Sequence, residues 1–159
     1  MGTYELNCCC GEPLPAECPD CCLSVPDSFK VTITGLSNVD CDACTSLNGA
    51  DIVLDYKNTC EWEFHDPNFC TADNCDDDPY ELTFNLLLLY DVVFDTCTLL
   101  LTFRLRTTCV EYEYEINAAY EKTISDGDCA GPHTLTDALA PYGGTACGTV
   151  PATVVLTGL

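Results

Sequence analysis

The sequence predicts an all-β fold, an antiparallel β-sandwich of jelly-roll or immunoglobulin-like topology that follows an irregular N-terminal arm. Apolar and polar residues alternate along about seven short segments, which is the period of strands with one buried face. No segment keeps the helical period of about 3.6 residues over several turns. Polar loops rich in Asp, Asn, Gly and Pro separate the segments, as is typical of sandwich proteins.

Residues 1–27 are predicted to form the Cys/Pro-rich arm, and residues 28–159 are predicted to form the sandwich domain. The arm contains six cysteines and four prolines, a proline density that prevents a regular helix and removes donors from a strand. Cys8, Cys9 and Cys10 are adjacent, and neighbouring cysteines rarely bond to each other. They are therefore expected to reach three separate partners and to fasten the arm to the body or to another subunit.

A β-hairpin that contains the only tryptophan is predicted within residues 41–64. Two alternating runs flank a turn at residues 57–59, and each run has one apolar face. These faces are formed by Ile52, Leu54 and Tyr56 and by Cys60, Trp62 and Phe64. Trp62 therefore has inward parity and is expected to lie in the core.

Further strands are predicted on both sides of this hairpin, at residues 29–34, 82–93, 97–107, 110–116 and 150–156. The middle of residues 82–93 is apolar on both faces, so this strand is expected to be central or covered on both sides. Outward-facing Arg104 and Arg106 are expected to pair with the glutamates of residues 110–116 across an antiparallel neighbour. A single helical turn is predicted at Thr136–Ala140.

The chain is strongly acidic, with 26 Asp and Glu against 5 Lys and Arg and a formal net charge of -21. Such a surface repels nucleic-acid phosphates and anionic lipid, so nucleic-acid binding and membrane adsorption are disfavoured. Membrane insertion is not expected either, because the longest apolar run, Leu86–Tyr90, is too short to cross a bilayer. The same charge attracts divalent cations or a basic partner.

The chain has 15 cysteines in 159 residues, a density typical of disulfide scaffolds in oxidising compartments. Its N-terminus has neither the basic region nor the apolar region of a secretory signal peptide. A virion component reconciles the two observations, because it is assembled inside a cell and becomes oxidised after lysis. Local loop bridges are the predicted disulfides, Cys70 with Cys75 and Cys129 with Cys147, and the odd cysteine is left for a free or intermolecular role.

A zinc site is the alternative to disulfides for four of these cysteines. Cys18 and Cys21 form one Cys-x2-Cys pair, and Cys41 and Cys44 form a second pair after 19 intervening residues. This spacing is typical of four-thiolate zinc sites, in which two such pairs converge on one ion. Cys22 directly follows Cys21, however, and the segment between the pairs looks like a sheet strand instead of a zinc ribbon. The choice between zinc and disulfides stays open at this point.

Other ligand sites have weaker support in the sequence. The loop at Asp73–Asp78 offers carboxylates to calcium, but it lacks the glycine and the terminal glutamate of an EF-hand. The two histidines, His65 and His133, lie in loop-like surroundings and outside any recognised catalytic motif. No catalytic residue, cofactor or metal ligand is therefore assigned, and the chain is expected not to be an enzyme.

A sugar-binding platform is a further alternative, because β-sandwich loops often carry aromatic residues that stack on sugars. Tyr80, Tyr120 and Tyr142 are predicted to lie in or near loops, where they could form such a platform.

Residues 41–62 carry a motif pattern of their own. C-x2-C-T-x-L-N-G is followed by C-x-W, and this stretch resembles uncharacterised cysteine-rich β-sandwich proteins found in bacteria and among tailed-phage structural genes. The resemblance implies a β-sandwich fold, and it implies no catalytic residues.

Together these features predict a non-enzymatic structural subunit of a large assembly. The expected assembly is a virion, as a capsid decoration, tail or adhesion component, or a surface filament, and the location is the virion or an extracellular surface. The expected partners are further copies of the chain and other subunits, with a surface glycan as an additional ligand. The alternatives are a carbohydrate-binding surface module and a cytosolic zinc-binding interaction protein that uses Cys18, Cys21, Cys41 and Cys44.

Overall fold

The computed structural model of the chain contains nine strands among the residues that it describes. The described residues are 18–35, 47, 49–71, 79–109, 112–136, 142–143 and 153–159. For residues 70, 71, 79, 107–109, 112–116, 142 and 143 only the backbone is described. The strands are β1 (Ser28–Thr34), β2 (Asp51–Asn58), β3 (Glu61–Thr71), β4 (Pro79–Asp91), β5 (Thr96–Cys109), β6 (Tyr112–Ile124), β7 (His133–Leu135), β8 (Tyr142–Gly143) and β9 (Thr153–Gly158). In this part of the chain no helix is long and apolar enough to span a bilayer.

All nine strands belong to one antiparallel sheet, in the order β7-β9-β1-β2-β3-β4-β5-β6-β8. The strands from β1 to β6 form a meander, because each pairs with the next one along the chain. On the other side of β1, β9 and then β7 extend the sheet, and β7 also lies beside β6. The sheet therefore curls round into a nearly closed, barrel-like form.

The predicted all-β, antiparallel class is confirmed, but the finer prediction of a two-sheet sandwich is not clearly met. Hydrogen bonds join neighbouring strands continuously across the described sheet, and a meander differs from the crossing connections of jelly-roll and immunoglobulin topologies. The alternation of apolar residues could not distinguish these architectures, because strands of a barrel and of a sandwich each bury one face.

The core consists of the inward-facing side chains of this curled sheet. The largest fully buried side chains among them are Trp62, Tyr80, Tyr120, Phe29, Phe84, Phe103, Ile33, Leu47, Leu54, Leu82, Leu86 and Leu99. Strand β4 lies between β3 and β5, which confirms its predicted central position. Its outer face is not fully covered, however, because Leu89 is exposed.

Trp62 lies in this core as predicted and is fully buried. Its ring packs edge-on against Phe29, with 4.8 Å between the ring centroids, and its Nε1 donates a hydrogen bond to the Pro26 carbonyl at 3.1 Å. Tyr56 was expected to face inward as well, but its side chain is half-exposed at the end of β2. There its ring packs edge-on against Trp62, and its hydroxyl accepts a hydrogen bond from the Cys60 amide at 3.2 Å.

The turn between β2 and β3 has a backbone conformation that its residues do not favour. Thr59 and Cys60 have φ angles of 43° and 61°, a left-handed conformation that Asn and Gly adopt far more readily than a β-branched residue. The Cys60 carbonyl accepts a hydrogen bond from the Leu88 amide at 3.0 Å, so the turn is attached to β4. Contacts outside the hairpin therefore stabilise a turn that its own residues do not favour.

The strand register bears on the predicted charge pairs between β5 and β6. Arg106 lies opposite Glu115 on β6 and Glu81 on β4, as a charge pair requires, whereas Arg104 lies opposite Asn117. The side chains of residues 112–116 are not among those described, so the pairing of both arginines with the glutamates of β6 stays a prediction. The predicted helical turn at Thr136–Ala140 lies outside the described residues except for Thr136.

Trp62→Phe is expected to lower the free energy of unfolding by roughly 2 to 4 kcal/mol, because it leaves the Pro26 carbonyl without its donor and opens a cavity in the core. Urea unfolding followed by circular dichroism measures the change. Val53→Thr, on the outer face of the same hairpin, is the matched control and should change stability by about 0.5 kcal/mol or less. Equal effects of the two substitutions would contradict a structural role of Trp62.

Candidate functional site

The described part of the arm, residues 18–27, is irregular and is bonded to the sheet by three disulfides. The pairs are Cys18–Cys60, Cys21–Cys97 and Cys22–Cys129, with Cα–Cα distances of 5.2, 5.9 and 5.5 Å. These distances lie within the usual range for disulfides. Three bonds thus leave one segment of five residues and reach three separate parts of the chain.

The three partner cysteines lie at the same end of the curled sheet. Cys60 is in the β2–β3 turn, Cys97 is the second residue of β5, and Cys129 is in the loop between β6 and β7. The Leu23 amide also donates to the Gly127 carbonyl at 3.0 Å in the same loop. We call this end of the sheet, with residues 18–27 and the loops that they meet, the arm end.

The predicted disulfide partners were wrong where the structure describes them. Cys129 bonds to Cys22 and not to Cys147, because the arm runs beside the β6–β7 loop. The predicted fastening of the arm to the body does occur, but through Cys18, Cys21 and Cys22. Partners for Cys8, Cys9 and Cys10, and the bridge between Cys70 and Cys75, lie outside the described side chains.

The predicted zinc site is wrong for its first pair of ligands. Cys18 and Cys21 form disulfides to different strands, and a disulfide sulfur is not the thiolate that zinc binds. Cys41 and Cys44, like the predicted calcium loop Asp73–Asp78, lie outside the described residues. Within the described ranges, no three His, Cys, Asp or Glu side chains are grouped so that they could hold a metal ion.

The predicted sugar-binding platform is wrong for two of its three tyrosines. Tyr80 and Tyr120 lie in β4 and β6 and are almost completely buried, so neither can stack on a ligand at the surface. The side chain of Tyr142 is not among those described. Parity along the strands places these rings in the core, and the sequence did not reveal it because the two strands extend beyond their predicted bounds.

Both histidines lie in strands instead of the predicted loops. In β3, His65 Nε2 is 2.9 Å from Glu81 Oε1 on the exposed outer face. In β7, His133 is buried, and its Nε2 donates to the Cys129 carbonyl at 3.2 Å. Each imidazole therefore has a nearby partner, and the two lie on different strands.

A surface cleft of about 400 Å³ lies on the outer face of β2 and β3. Its lining includes Lys57 and Glu63, which form an ion pair, and Asp55, Tyr56 and His65. The hydrogen bond to Glu63 and the negative charge of that carboxylate raise the pKa of Lys57. Exposed ion pairs of this kind contribute little to stability, and the cleft offers charged groups without a buried reactive one.

Three consecutive apolar residues of the arm end, Val92, Val93 and Phe94, are strongly exposed, and we call them the apolar tip. They form the loop between β4 and β5, and their side chains are 79%, 85% and 75% exposed. Val and Phe favour strands, so the sequence pattern predicted a strand up to Val93 and not this loop. The aspartates on both sides of the three residues are the signal that could have indicated a loop.

Hydrogen bonds to the carboxylates of both flanking aspartates give the apolar tip a defined conformation. Asp91 Oδ1 accepts the amides of Val93 and Phe94 at 2.8 and 3.2 Å. The Tyr90 hydroxyl donates to Asp95 Oδ1 at 2.7 Å, and this bond, with the charge of Asp95, raises the pKa of Tyr90. The loop therefore presents its apolar side chains to solvent while its polar groups are satisfied internally.

A second cleft, of about 460 Å³, adjoins the apolar tip on the outer face of the sheet. Its lining combines apolar and acidic side chains, namely Leu89, Tyr90, Asp91, Val92, Thr98 and Glu121. The arm end thus combines a covalent fastening, an apolar tip and an adjoining cleft with carboxylates. This combination is suited to binding another molecule, and it contains no arrangement of a nucleophile and a base among the described side chains.

Replacing both Cys22 and Cys129 by serine should lower the free energy of unfolding by roughly 3 to 4 kcal/mol, because the unfolded chain regains the freedom that this bond removes. Chemical denaturation of the oxidised proteins measures the loss. Cys22→Ser alone should give one new reactive thiol, at Cys129, when the denatured, unreduced protein is labelled and analysed by mass spectrometry, because denaturation exposes this buried residue. A Cys129 that stays protected in this variant would contradict the Cys22–Cys129 pairing.

Burial raises the pKa of Tyr120 to about 12, against an ordinary value of 10.0. Between these pH values the unfolded chain loses this proton while the folded chain keeps it, so the free energy of unfolding should fall by about 1.4 kcal/mol per pH unit from this residue. Tyr120→Phe should therefore show a shallower alkaline loss of stability than the unmodified protein. Between pH 7 and pH 9 the difference between the two proteins should stay constant, and equal slopes above pH 10 would contradict the prediction.

The chain matches no protein-family model, no curated protein and no solved structure. The resemblance of residues 41–62 to cysteine-rich bacterial and phage proteins therefore stays a prediction, and the arm end itself is the basis for a functional proposal.

Proposed function

We propose that the chain is a non-enzymatic structural subunit of an assembly, in which a disulfide-fastened β-domain presents the arm end to a neighbouring subunit. The observation that carries this proposal is the attachment of residues 18–22 to three parts of the sheet by three disulfides. A virion or a surface filament is the specific assembly that the sequence predicts, and that identity is part of the proposal.

The length of chain between the bonded cysteines supports a mechanical role. The pairs are 42, 76 and 107 residues apart in sequence, and long loops lose the most freedom when a bond closes them. Bonds of this kind persist in oxidising surroundings, so the disulfides indicate an oxidising environment such as the extracellular space. A subunit that functions there gains resistance to unfolding when its N-terminal arm cannot leave the sheet.

The two alternative functions have less support. The carbohydrate module loses Tyr80 and Tyr120, which are buried, and the zinc protein loses Cys18 and Cys21, which are in disulfides. The outer cleft beside Lys57 is formed by exposed, paired charges, which is a common feature of protein surfaces. A structural role requires only what the arm end offers, a rigid attachment and an exposed apolar tip.

The proposal is tested on protein recovered from the cells that produce it, under conditions without reductant. Light scattering after size-exclusion chromatography should give a mass well above that of one chain, and chemical cross-linking should join the protein to its neighbours in the assembly. Recovery as a single free chain throughout would contradict the structural role.

Three control measurements distinguish the alternatives. A thiol titration of the denatured, unreduced protein should find at least six of the 15 cysteines unreactive, and metal analysis should find no stoichiometric zinc. A glycan array, with and without calcium, should give no specific signal. Stoichiometric zinc with all thiols reactive would favour the zinc protein, and a strong glycan signal would favour the carbohydrate module.

A further inference from the structure

The arm end exposes several large apolar side chains. Besides the apolar tip, Leu23 is 89% exposed in the arm, and Leu89 and Tyr90 are exposed where β4 approaches the tip. Leu23 lies beside the β6–β7 loop, whereas Leu89, Tyr90 and Val92 of the tip line one cleft and therefore adjoin. Contiguous exposed apolar residues rimmed by polar ones are typical of protein-binding surfaces.

Exposed carboxylates share the arm end with this apolar surface. Asp91 and Asp95 flank the apolar tip, and Glu121 lies in the adjoining cleft. Further exposed carboxylates occur in the arm and in the β6–β7 loop. The acidic rim of the arm end therefore comprises Asp20, Asp91, Asp95, Glu121, Asp126 and Asp128.

No Lys or Arg lies within the loops of the arm end. All five Lys and Arg residues of the chain lie in strands, namely Lys30, Lys57, Arg104, Arg106 and Lys122. Lys30 and Lys57 already pair with carboxylates of the sheet, Asp51 and Glu63. Four carboxylates of the rim, those of Asp91, Asp95, Asp126 and Asp128, accept hydrogen bonds from backbone amides or from the Tyr90 hydroxyl. These donors carry no positive charge, so the carboxylates keep their negative charge at the surface.

We propose that the arm end docks a basic amphipathic segment of a partner protein. The apolar tip would contact the apolar side of that segment, while Lys or Arg residues at its borders would pair with the acidic rim. This inference names the kind of neighbour that the proposed structural subunit binds, and in that sense it rests on the proposed function.

The conformation of the apolar tip favours such docking. Asp91 and Asp95 hold the loop by three hydrogen bonds, and the Cys21–Cys97 disulfide fixes the strand that follows it. A binding surface that is ordered before binding loses less conformational entropy when the complex forms. Phe94 is also an aromatic residue, a class that is enriched in the cores of protein interfaces.

The negative charge of the rim favours a basic segment over a second copy of the chain or an anionic lipid surface. A second copy of the chain would bring the same carboxylates and a formal net charge of -21 to the interface, and like charges in contact disfavour binding. An anionic lipid surface is repelled for the same reason. A segment with positive charge is attracted by the same field before contact is made.

The test uses three synthetic peptides as probes and the full oxidised protein. The first is an amphipathic 14-residue peptide of Leu and Lys, the second has Glu in place of each Lys, and the third consists of Lys and Ser only. Binding is measured by fluorescence anisotropy with the unmodified protein, with the double variant Val93→Ser and Phe94→Ser, and with the control Val53→Ser. Val53 is an exposed valine on the outer face of β2, outside the arm end.

The Leu/Lys peptide should bind, and its affinity should fall by at least about tenfold in the tip variant, because apolar contact area is lost without any change in charge. The Val53→Ser control should change the affinity by about twofold or less. Rising salt should weaken binding, and Asp95→Asn combined with Glu121→Gln should reduce both the affinity and its dependence on salt. The Lys/Ser peptide should bind more weakly than the Leu/Lys peptide. Its affinity should be the same for the unmodified protein, the tip variant and the Val53→Ser control, because these three carry the same charge.

Several outcomes would overturn the inference. Equal affinity of the Leu/Lys peptide for the tip variant and the control would show that only general charge attracts it, and tight binding of the Leu/Glu peptide would exclude the acidic rim. Self-association in sedimentation that the tip variant abolishes would identify a second copy as the occupant. Binding to phosphatidylcholine vesicles that the tip variant abolishes would identify lipid. The cross-linking experiment on the native assembly is independent of these peptides, so a failure here leaves the structural role standing.

Discussion

The covalent attachment of the arm is the constraint on which the rest of the structure depends. Residues 18–22 are bonded to the β2–β3 turn, to the start of β5 and to the β6–β7 loop, and the same arm leads directly into β1. It also supplies the Pro26 carbonyl to the buried indole of Trp62, so the core depends on the position of the arm as well as on its own apolar side chains. Even the left-handed turn at Thr59 and Cys60 is anchored by it, because Cys60 cannot move away while it is bonded to Cys18.

The acidity of the chain explains why such a constraint is useful. A formal net charge of -21 opposes compaction through the mutual repulsion of the carboxylates, and only five basic residues are present to offset it. Curling one sheet until β7 lies beside β6 buries the apolar faces of the long strands together, while the charges stay on the outer face. The disulfides then reduce the freedom of the unfolded chain, which helps the folded state to outweigh the repulsion.

The alternation of apolar and polar residues predicted the features that depend on neighbouring residues alone. The alternation of residues was sufficient to find the strand that contains Phe29 and Val31, the hairpin of Trp62 and the central position of β4, because parity reports which face of a strand is buried. It could not predict how the sheet closes or which cysteines meet, since both depend on contacts between residues far apart in sequence. The pairing of Cys22 with Cys129 across 107 residues is the clearest example. The apolar tip was missed for another reason, because Val92 and Val93 favour strands and only the hydrogen bonds of Asp91 turn them into a loop.

The order of the three disulfides has a consequence for how the chain is made. The arm cysteines Cys18, Cys21 and Cys22 bond, in that sequence, to Cys60, Cys97 and Cys129, so the two series run in the same direction along the chain. A chain that emerges from its N-terminus exposes each partner in turn, and the last bond can form only after the first six strands have been synthesised. The arm therefore becomes fully attached only in a molecule whose meander is complete, and a chain that ends before Cys129 lacks the native partner of Cys22.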